Sequence, residues 1–394
     1  MTTDSVNSKR PEDSAFKQQR LPSWQPVLTP FRIIVIFVAI GIIFIPIGTS
    51  LRAMNNNLEE VKVTYGGDDG ISFNQIRNSG STTCINPTEN EKPCSLTIDI
   101  KLKEDFKGPV YVYYELENYY QNHRRYVASR DNLQLAGELT SKTEMESCEP
   151  LIDSDDGRLL NPCGLIAGSY FTDVIKFTQS NQNSNANMDV SGISWKSDRE
   201  KKFKQPKGFQ MKELPSAQTV SSCVTALGVS NAKNYTDISS SGNKYYCFSY
   251  PEDTKYKYLY EFFNPNPTTT CAKGRTNEHC IISPIKGVED ENFIVWMRTA
   301  ALPRFRKLIG KIDADFNTNE ILTFEVQNNY EVASFDATKS LVIATIGDMG
   351  GKNLSMGTSY IVVGSVSLFL GLAFFIKHVI HPRRSGDASQ LKWD

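Results

Sequence analysis

Ile33-Ile-Val-Ile-Phe-Val-Ala-Ile-Gly-Ile-Ile-Phe-Ile-Pro-Ile-Gly-Thr-Ser-Leu51 is a run of 19 residues without a charge, and its reading decides the fold. Met356 to Ile376 is a second such run, of 21 residues. About 20 apolar residues in helical form cross a bilayer core. The helix is obligatory there, because lipid offers no partner to an unpaired backbone group. The 394-residue chain therefore reads as a two-span hairpin. A cytosolic tail (1–30), a first span (31–51), a hydrophilic domain (52–355), a second span (356–376) and a short tail (377–394) follow one another.

The basic residues beside the spans set the orientation. Lys9, Arg10, Lys17, Arg20 and Arg32 precede the first span, and Lys377, Arg383, Arg384 and Lys392 follow the second. The loop side offers only Arg52, Lys62, Lys339 and Lys352 nearby. Both termini are expected in the cytosol, with the large domain in the lumen or outside the cell. A cleaved signal peptide is the weaker reading of the first run. It is too long for a signal core, starts late, and ends without a small-x-small cleavage site.

All eight cysteines lie in the large domain: Cys84, Cys94, Cys148, Cys163, Cys223, Cys247, Cys271 and Cys280. An even count confined to an exoplasmic segment suits disulfides. Asn234-Tyr-Thr is a glycosylation sequon in the same segment. A second, Asn353-Leu-Ser, lies so near the bilayer that it is expected to stay unused. Four histidines are too few and too scattered for a metal site, so neither metal nor cofactor is expected. The tails together with Arg32 hold 9 of the 43 basic and 5 of the 44 acidic residues, which leaves 34 against 39 in the domain. That mildly acidic balance excludes a nucleic-acid binder.

Leu96, Ile98, Ile100 and Leu102 alternate with Thr97, Asp99, Lys101 and Lys103, the period of a strand with one buried face. Val110–Leu116 alternates too, with tyrosines on the outer face. Ile321–Val326 and Ser340–Ile346 are further strands, and Phe293–Met297 is a buried strand or short helix. No helix-period segment of any length stands out in the domain. The expected fold is two transmembrane helices carrying a large, mainly antiparallel β domain, sandwich or jelly-roll-like, stapled by disulfides. Residues 205–288, rich in Ser, Asn, Thr, Lys and Pro and holding four cysteines, read as an insertion with its own disulfides.

Chemistry is scarce. Gly347-Asp-Met-Gly-Gly-Lys-Asn fails the spacing of a phosphate-binding loop, since Ile346 stands where the first glycine belongs. No Asp-Lys-Thr-Gly, Gly-x-Ser-x-Gly or His-Glu-x-x-His occurs. Asp68 and Asp69 read as a solvated turn. Neither uncharged run, Ile33–Leu51 or Met356–Ile376, holds an ionisable residue, which argues against an ion or substrate path inside this chain.

Several longer stretches resemble one family. Tyr119-Tyr-Gln-Asn-His-Arg-Arg-Tyr-Val, Asn161-Pro-Cys-Gly-Leu-Ile-Ala, Ile193-Ser-Trp-Lys-Ser-Asp and Phe293-Ile-Val-Trp-Met-Arg-Thr-Ala-Ala-Leu-Pro resemble the ligand-effect-modulator, or cell-division-control-fifty, family. So do Gln18-Gln-Arg-Leu-Pro-Ser-Trp-Gln-Pro, Phe44-Ile-Pro-Ile-Gly and Thr338-Lys-Ser, all in family order. The resemblance implies a non-catalytic β subunit of a P4-type ATPase, a lipid flippase, that escorts the pump from the endoplasmic reticulum and stays bound to it. The implied partners are that catalytic α subunit, in a heterodimer, and the membrane phospholipids around the complex. The implied locations are endoplasmic reticulum, Golgi or endosome, and plasma membrane. The chain departs from the family where Gly168-Ser-Tyr-Phe-Thr172-Asp replaces a sugar-bearing Asn-Ser-x-Phe-Asn-Asp. The family shares only the first four cysteines as a rule.

Eight cysteines allow about a hundred pairings. Each neighbouring pair brackets a short, turn-rich segment, which points to Cys84–Cys94, Cys148–Cys163, Cys223–Cys247 and Cys271–Cys280; the first two also match the family. Three prolines favour an extended strip from Gln18 to Pro30, so Arg20, Leu21, Pro22, Trp24, Gln25 and Pro26 are expected to lie along the partner's cytosolic parts. Gly357, Gly364 and Gly371 recur every seven residues and form a smooth stripe in a helix. Such a stripe either docks a partner helix or packs on the first span, whose Gly41 and Gly48 are also seven apart. The alternative to the flippase reading is a subunit of a trimeric, two-span ligand-gated channel, although a pore wants a more polar lining than this first span offers.

Overall fold

The computed structural model describes residues 13–22, 29–67, 70–78, 94–183, 185–239, 242–263, 271–272, 281–347 and 350–382. They fall into two compact units, a helical one and a β one that spans 57–352. In the helical unit, Pro30–Asn56 and Leu354–Ile380 are helices of 27 residues each. Both are long and apolar enough to cross a membrane, and both outrun the uncharged runs that announced them. The second starts at Asn353, whose Oδ1 accepts from the N–H groups of Ser355 and Met356, a side-chain N-cap.

The β unit holds two facing sheets, with strands numbered here in chain order. The first orders β1 (Glu60–Gly66), β15 (Thr338–Thr345), β4 (Val110–Glu117), β13 (Phe305–Ile312) and β7 (Met188–Asp189) side by side. The second orders β2 (Ile76–Asn78), β3 (Cys94–Lys101), β14 (Ile321–Asn328) and β6 (Val174–Ser180). Every pairing within these two sheets is antiparallel. Val63, Val112, Leu116 and Ile343 of the first sheet share one apolar core with Ile98, Ile100, Phe324 and Val326 of the second. The domain is thus a sandwich, and the alternating strands read from the sequence supply its core.

One local reading changes, and one is decided between its two alternatives. Tyr111 and Tyr113 point outward, but Tyr114 turns in and stacks on Phe171 with ring centroids 3.9 Å apart. Even spacing puts Val110, Val112, Tyr114 and Leu116 on one face, so its place follows from the pleat rather than from its hydroxyl. Phe293–Met297 forms a helix (Glu291–Met297), because Asp290 accepts from the N–H groups of Asn292 and Phe293. Its core face holds Phe293, Ile294, Trp296 and Met297.

The insertion builds a sheet of its own from β8 (Gln210–Leu214), β9 (Lys233–Ser239), β10 (Gly242–Ser249) and β12 (Cys271–Ala272). A helix over Val220–Leu227 lies against it, capped by Thr219 and closed by Gly228 at φ 72°. The helix had no signal beyond that cap, because eight residues are too few to show a period. Beside the sheet, β5 (Leu159–Asn161) and β11 (Tyr256–Tyr258) pair in parallel. A tyrosine-rich cluster of Tyr235, Tyr250, Tyr256, Tyr258 and Tyr260 forms there around Phe248.

Cys148–Cys163 and Cys223–Cys247 are disulfides, as the bracketing suggested. Cys84 and Cys280 lie outside the described residues, and with them the other two expected pairs. Cys223–Cys247 ties the inserted helix to β10 across 24 residues. Replacing both by serine is expected to cost about 3 kcal/mol in the chain-entropy description. Limited proteolysis should then cut first within 205–263, with the two main sheets intact. Unchanged protease resistance would contradict this.

Candidate partner-binding surfaces

Within the helical unit the two glycine rows face each other. A methyl group added at Gly48 would stand 2.8 Å from the Gly357 carbonyl oxygen, and one at Gly357 would stand 2.9 Å from that of Gly48. At Gly364 it would meet the Ile45 backbone nitrogen at 3.2 Å, and at Gly371 the Val38 side chain at 3.1 Å. Ser367 is buried in the same seam. The space that a partner helix would need along Gly357, Gly364 and Gly371 is therefore filled by the first helix. The opposite face of the second helix exposes Val362, Val366 and Phe369.

A polar clasp closes one end of the hairpin. The Asn353 N–H donates to Asn55 Oδ1 at 2.8 Å, and the same buried Asn55 donates through Nδ2 to the Leu51 carbonyl. Arg52 reaches Thr358 Oγ1 at 2.8 Å. With its amide committed to capping, Asn353 of the second sequon has a structural role of its own. The start of the expected extended strip is instead coiled: Gln18 and Arg20 close a helical turn on Ser14 and Ala15, and Arg20 pairs with Asp13, the three prolines lying beyond it. Leu21 is exposed beyond that turn. Trp24, Gln25 and Pro26 lie outside the described residues.

In the β unit, charge is spent on holding the sandwich. Lys339 on β15 is fully buried and pairs at 2.8 Å with Asp173, which is equally buried at the foot of β6. Asp173 also accepts from the Tyr65 hydroxyl (3.0 Å) and from the N–H groups of Asn329 and Tyr330 (2.6 Å each). Burial lowers the Lys339 pKa and pushes the Tyr65 hydroxyl well up. The resembling motif Thr338-Lys-Ser thus supplies a rivet between the two sheets. On the outer face, nearly buried Glu115 accepts from Lys62 (2.6 Å), Arg304 (3.1 Å) and Arg306. Arg306 also holds Glu60 through two nitrogens.

These carboxylates predict a pH response. Burial raises Glu115, but Lys62 and Arg306 outweigh it and hold the group below its ordinary range. The bond from Arg298 does the same for Asp198, and N–H donors from Ser194 and Gly192 outweigh burial at Glu291. A carboxylate whose folded pKa is lowered stabilises fully above its unfolded value and loses that stabilisation as pH falls through the folded one. Denaturation midpoints are expected to stay flat from pH 7 to 5 and to drop below about pH 4. A steep loss between pH 7 and 5 would contradict the assignment.

Asn234 lies half-buried on β9, its Nδ2 donating to the Gln218 carbonyl at 2.7 Å. Among the described residues no group of three or more His, Cys, Asp or Glu side chains is placed to hold a metal ion. The arrangement is a tightly packed hairpin and a sandwich in which buried Lys339 and Glu115 each meet an opposite charge.

The chain is similar to known proteins along nearly its whole length. The model of the LEM3 (ligand-effect modulator 3) family / CDC50 family matches residues 51–384. Putative ALA-interacting subunit 4 of Arabidopsis thaliana is 36% identical, over 97% of this chain and 94% of its own length. Cell cycle control protein 50A of Bos taurus is 34% identical over 94% and 90%, and cell cycle control protein 50B of Homo sapiens 31% over 96% of each.

Proposed function

The chain belongs to the LEM3 (ligand-effect modulator 3) / CDC50 family, and from that premise we propose that it is the accessory β subunit of a P4-type ATPase lipid flippase. It forms a heterodimer with the catalytic α subunit, promotes its assembly and exit from the endoplasmic reticulum, and supports its activity. ATP hydrolysis and the phosphorylated carboxylate belong to the pump. The observation that carries this reading is end-to-end similarity to relatives named for interacting with another protein. The uncharged runs Ile33–Leu51 and Met356–Ile376 inside the two helices hold no ionisable group, which agrees with a non-catalytic role. Both termini are cytosolic in this reading, Asn234 carries sugar, and the complex works in Golgi, endosomal or plasma membranes.

The outward row Val362, Val366 and Phe369 packs against a helix of the pump, and the strip from Gln18 to Pro30 lies along its cytosolic domains. Proline-rich segments bind with little ordering cost, since their extended form is pre-set. Capture of the chain in mild detergent is expected to bring down one large ATPase in equal amount; recovery of a homotrimer alone would favour the channel reading. Deleting residues 18–27 is expected to cut lipid-stimulated ATPase activity of the captured complex by about tenfold, the loss of a modest interface of roughly 1.4 kcal/mol. Wild-type activity of that deletion would remove the tail from the account.

A further inference from the structure

The sequon Asn234-Tyr-Thr stands on β9, and the fold has turned its amide inward. β9 pairs with β10 so that Asn234 lies opposite Cys247 and Thr236 opposite Tyr245. Residues two apart on a strand, and residues directly opposite across a pair, share a face. Asn234 and Thr236 therefore occupy the face on which Cys223, from the helix Val220–Leu227, reaches Cys247. Asn234 Nδ2 donates to the Gln218 carbonyl at 2.7 Å, and its Oδ1 is buried with no hydrogen-bond partner among the described residues. Gln218 immediately precedes Thr219, whose side chain caps that helix by accepting from the Ser222 N–H. One chain of contacts thus runs from the amide through Gln218 and the cap to Cys223.

Sugar transfer joins Nδ2 to the anomeric carbon of an oligosaccharide carried on a polyprenyl pyrophosphate. The carbon–oxygen bond to the pyrophosphate breaks, the polyprenyl pyrophosphate leaves with the electron pair, and one amide proton goes to a base of the transferase. The nitrogen has to be released from Gln218 and turned outward before it can be reached. Once substituted, the amide keeps its large groups trans, as a peptide bond does. That geometry places the sugar on the side of Oδ1. In the closed sheet and helix this oxygen is buried, and a glycan is a bulky surface group. The space that the sugar needs is filled.

We propose that closure of the Cys223–Cys247 disulfide ends the period in which Asn234 can accept sugar. The proposal rests on the reading that Asn234 carries sugar and adds the order of events. While the two thiols are open, the helix and the segment that leads into it can lift from β9 and uncover the amide. The closed disulfide pins Cys223 to β10 directly across from Asn234. A chain that receives sugar first keeps Gln218 displaced, and with it the Thr219 cap that positions Cys223. Capping contributes about 1 kcal/mol to a helix, a large share for one of only eight residues. Sugar and disulfide are therefore expected on different molecules.

The test expresses the full chain in cells, alkylates free thiols before lysis, and maps Asn234, Cys223 and Cys247 by peptide mass spectrometry. The parent is compared with Cys223→Ser/Cys247→Ser, and Asn234→Gln supplies the zero. At most partial occupancy is expected in the parent, with alkylated Cys223 and Cys247 in the sugar-bearing molecules and the disulfide in the bare ones. The double-serine variant should carry sugar on a severalfold larger fraction of molecules. A membrane-permeant reductant present during synthesis should raise occupancy in the parent and leave the double-serine variant unchanged, which separates the effect of the open thiols from any misfolding of that variant. Full occupancy on disulfide-bonded parent chains, or equal occupancy in parent and double-serine variant, would overturn the order while leaving Asn234 a sugar-bearing site. Absence of sugar from Asn234 in every case, the reduced chain included, would overturn both the order and the reading beneath it.

Discussion

Asp173→Ala will destabilise the β domain by about 3–5 kcal/mol, the cost of leaving one partner of a buried ion pair uncompensated. The replacement strands the Lys339 ammonium in a site with no exposure. It also removes the acceptor of the Tyr65 hydroxyl and of two backbone N–H groups, at Asn329 and Tyr330. Lys339 cannot swing out to water, because its stem packs against Gly66 and its ammonium lies 5.5 Å from the centre of the Tyr65 ring. A domain has about 5–15 kcal/mol in total, so the single variant should be retained and degraded as an unfolded chain. Asp173→Leu combined with Lys339→Met should fold better than either single change, since an apolar pair leaves no orphaned charge. Denaturation followed by intrinsic fluorescence separates the cases. A single variant as stable as the parent would show that the pair is dispensable.

The second large effect belongs to the hairpin. Gly48→Leu and Gly364→Leu are each expected to separate the two helices, because the added carbon meets backbone and branched side-chain stems: the Gly357 oxygen and Ile361 at Gly48, and the Ile45 Cγ1 and nitrogen at Gly364. Overpacking of this kind costs about 1–3 kcal/mol where neighbours can shift. Close backbone approach is also the main source of helix association in lipid. Phe44 and Tyr360 lie across the seam with ring centroids 5.2 Å apart. With Phe44→Cys and Tyr360→Cys in place, a short bifunctional reagent should cross-link the spans in the parent and fall to background in either leucine variant. Val366→Leu, on the exposed face, should leave the cross-link unchanged. Equal cross-linking in all three would contradict the packing.

What was legible beforehand follows from range. The spans announce themselves because charge is absent over 19 and 21 residues. Strand β3 does so because Leu96, Ile98 and Ile100 alternate against a polar face. The partner of the glycine row was not legible, since Gly357 and Gly48 lie 309 positions apart and either of two packings satisfied the same spacing. The Lys339–Asp173 rivet gave no signal either: each reads locally as an ordinary charged residue, and only the stacking of the two sheets buries both. Lys339 did fall within a stretch that resembled the family, and its burial explains why a lysine stands in an otherwise apolar strand. The loop that carries Trp195 shares that history: Glu291, which accepts from the N–H groups of Gly192 and Ser194, lies nearly a hundred residues further along the chain. Its motif was visible, whereas the hydrogen bonds that hold it were not.

In the proposed role this chain supports a pump without doing chemistry itself. The direct measurement is formation of the phosphorylated aspartyl intermediate, and lipid-stimulated ATP hydrolysis, by the P4-type ATPase captured with this chain, compared with the same ATPase expressed without it. The account predicts that the pump expressed alone stays in the endoplasmic reticulum and forms little phosphoenzyme, and that co-expression restores both. A pump that leaves the endoplasmic reticulum, phosphorylates and hydrolyses ATP equally well without this chain would contradict it.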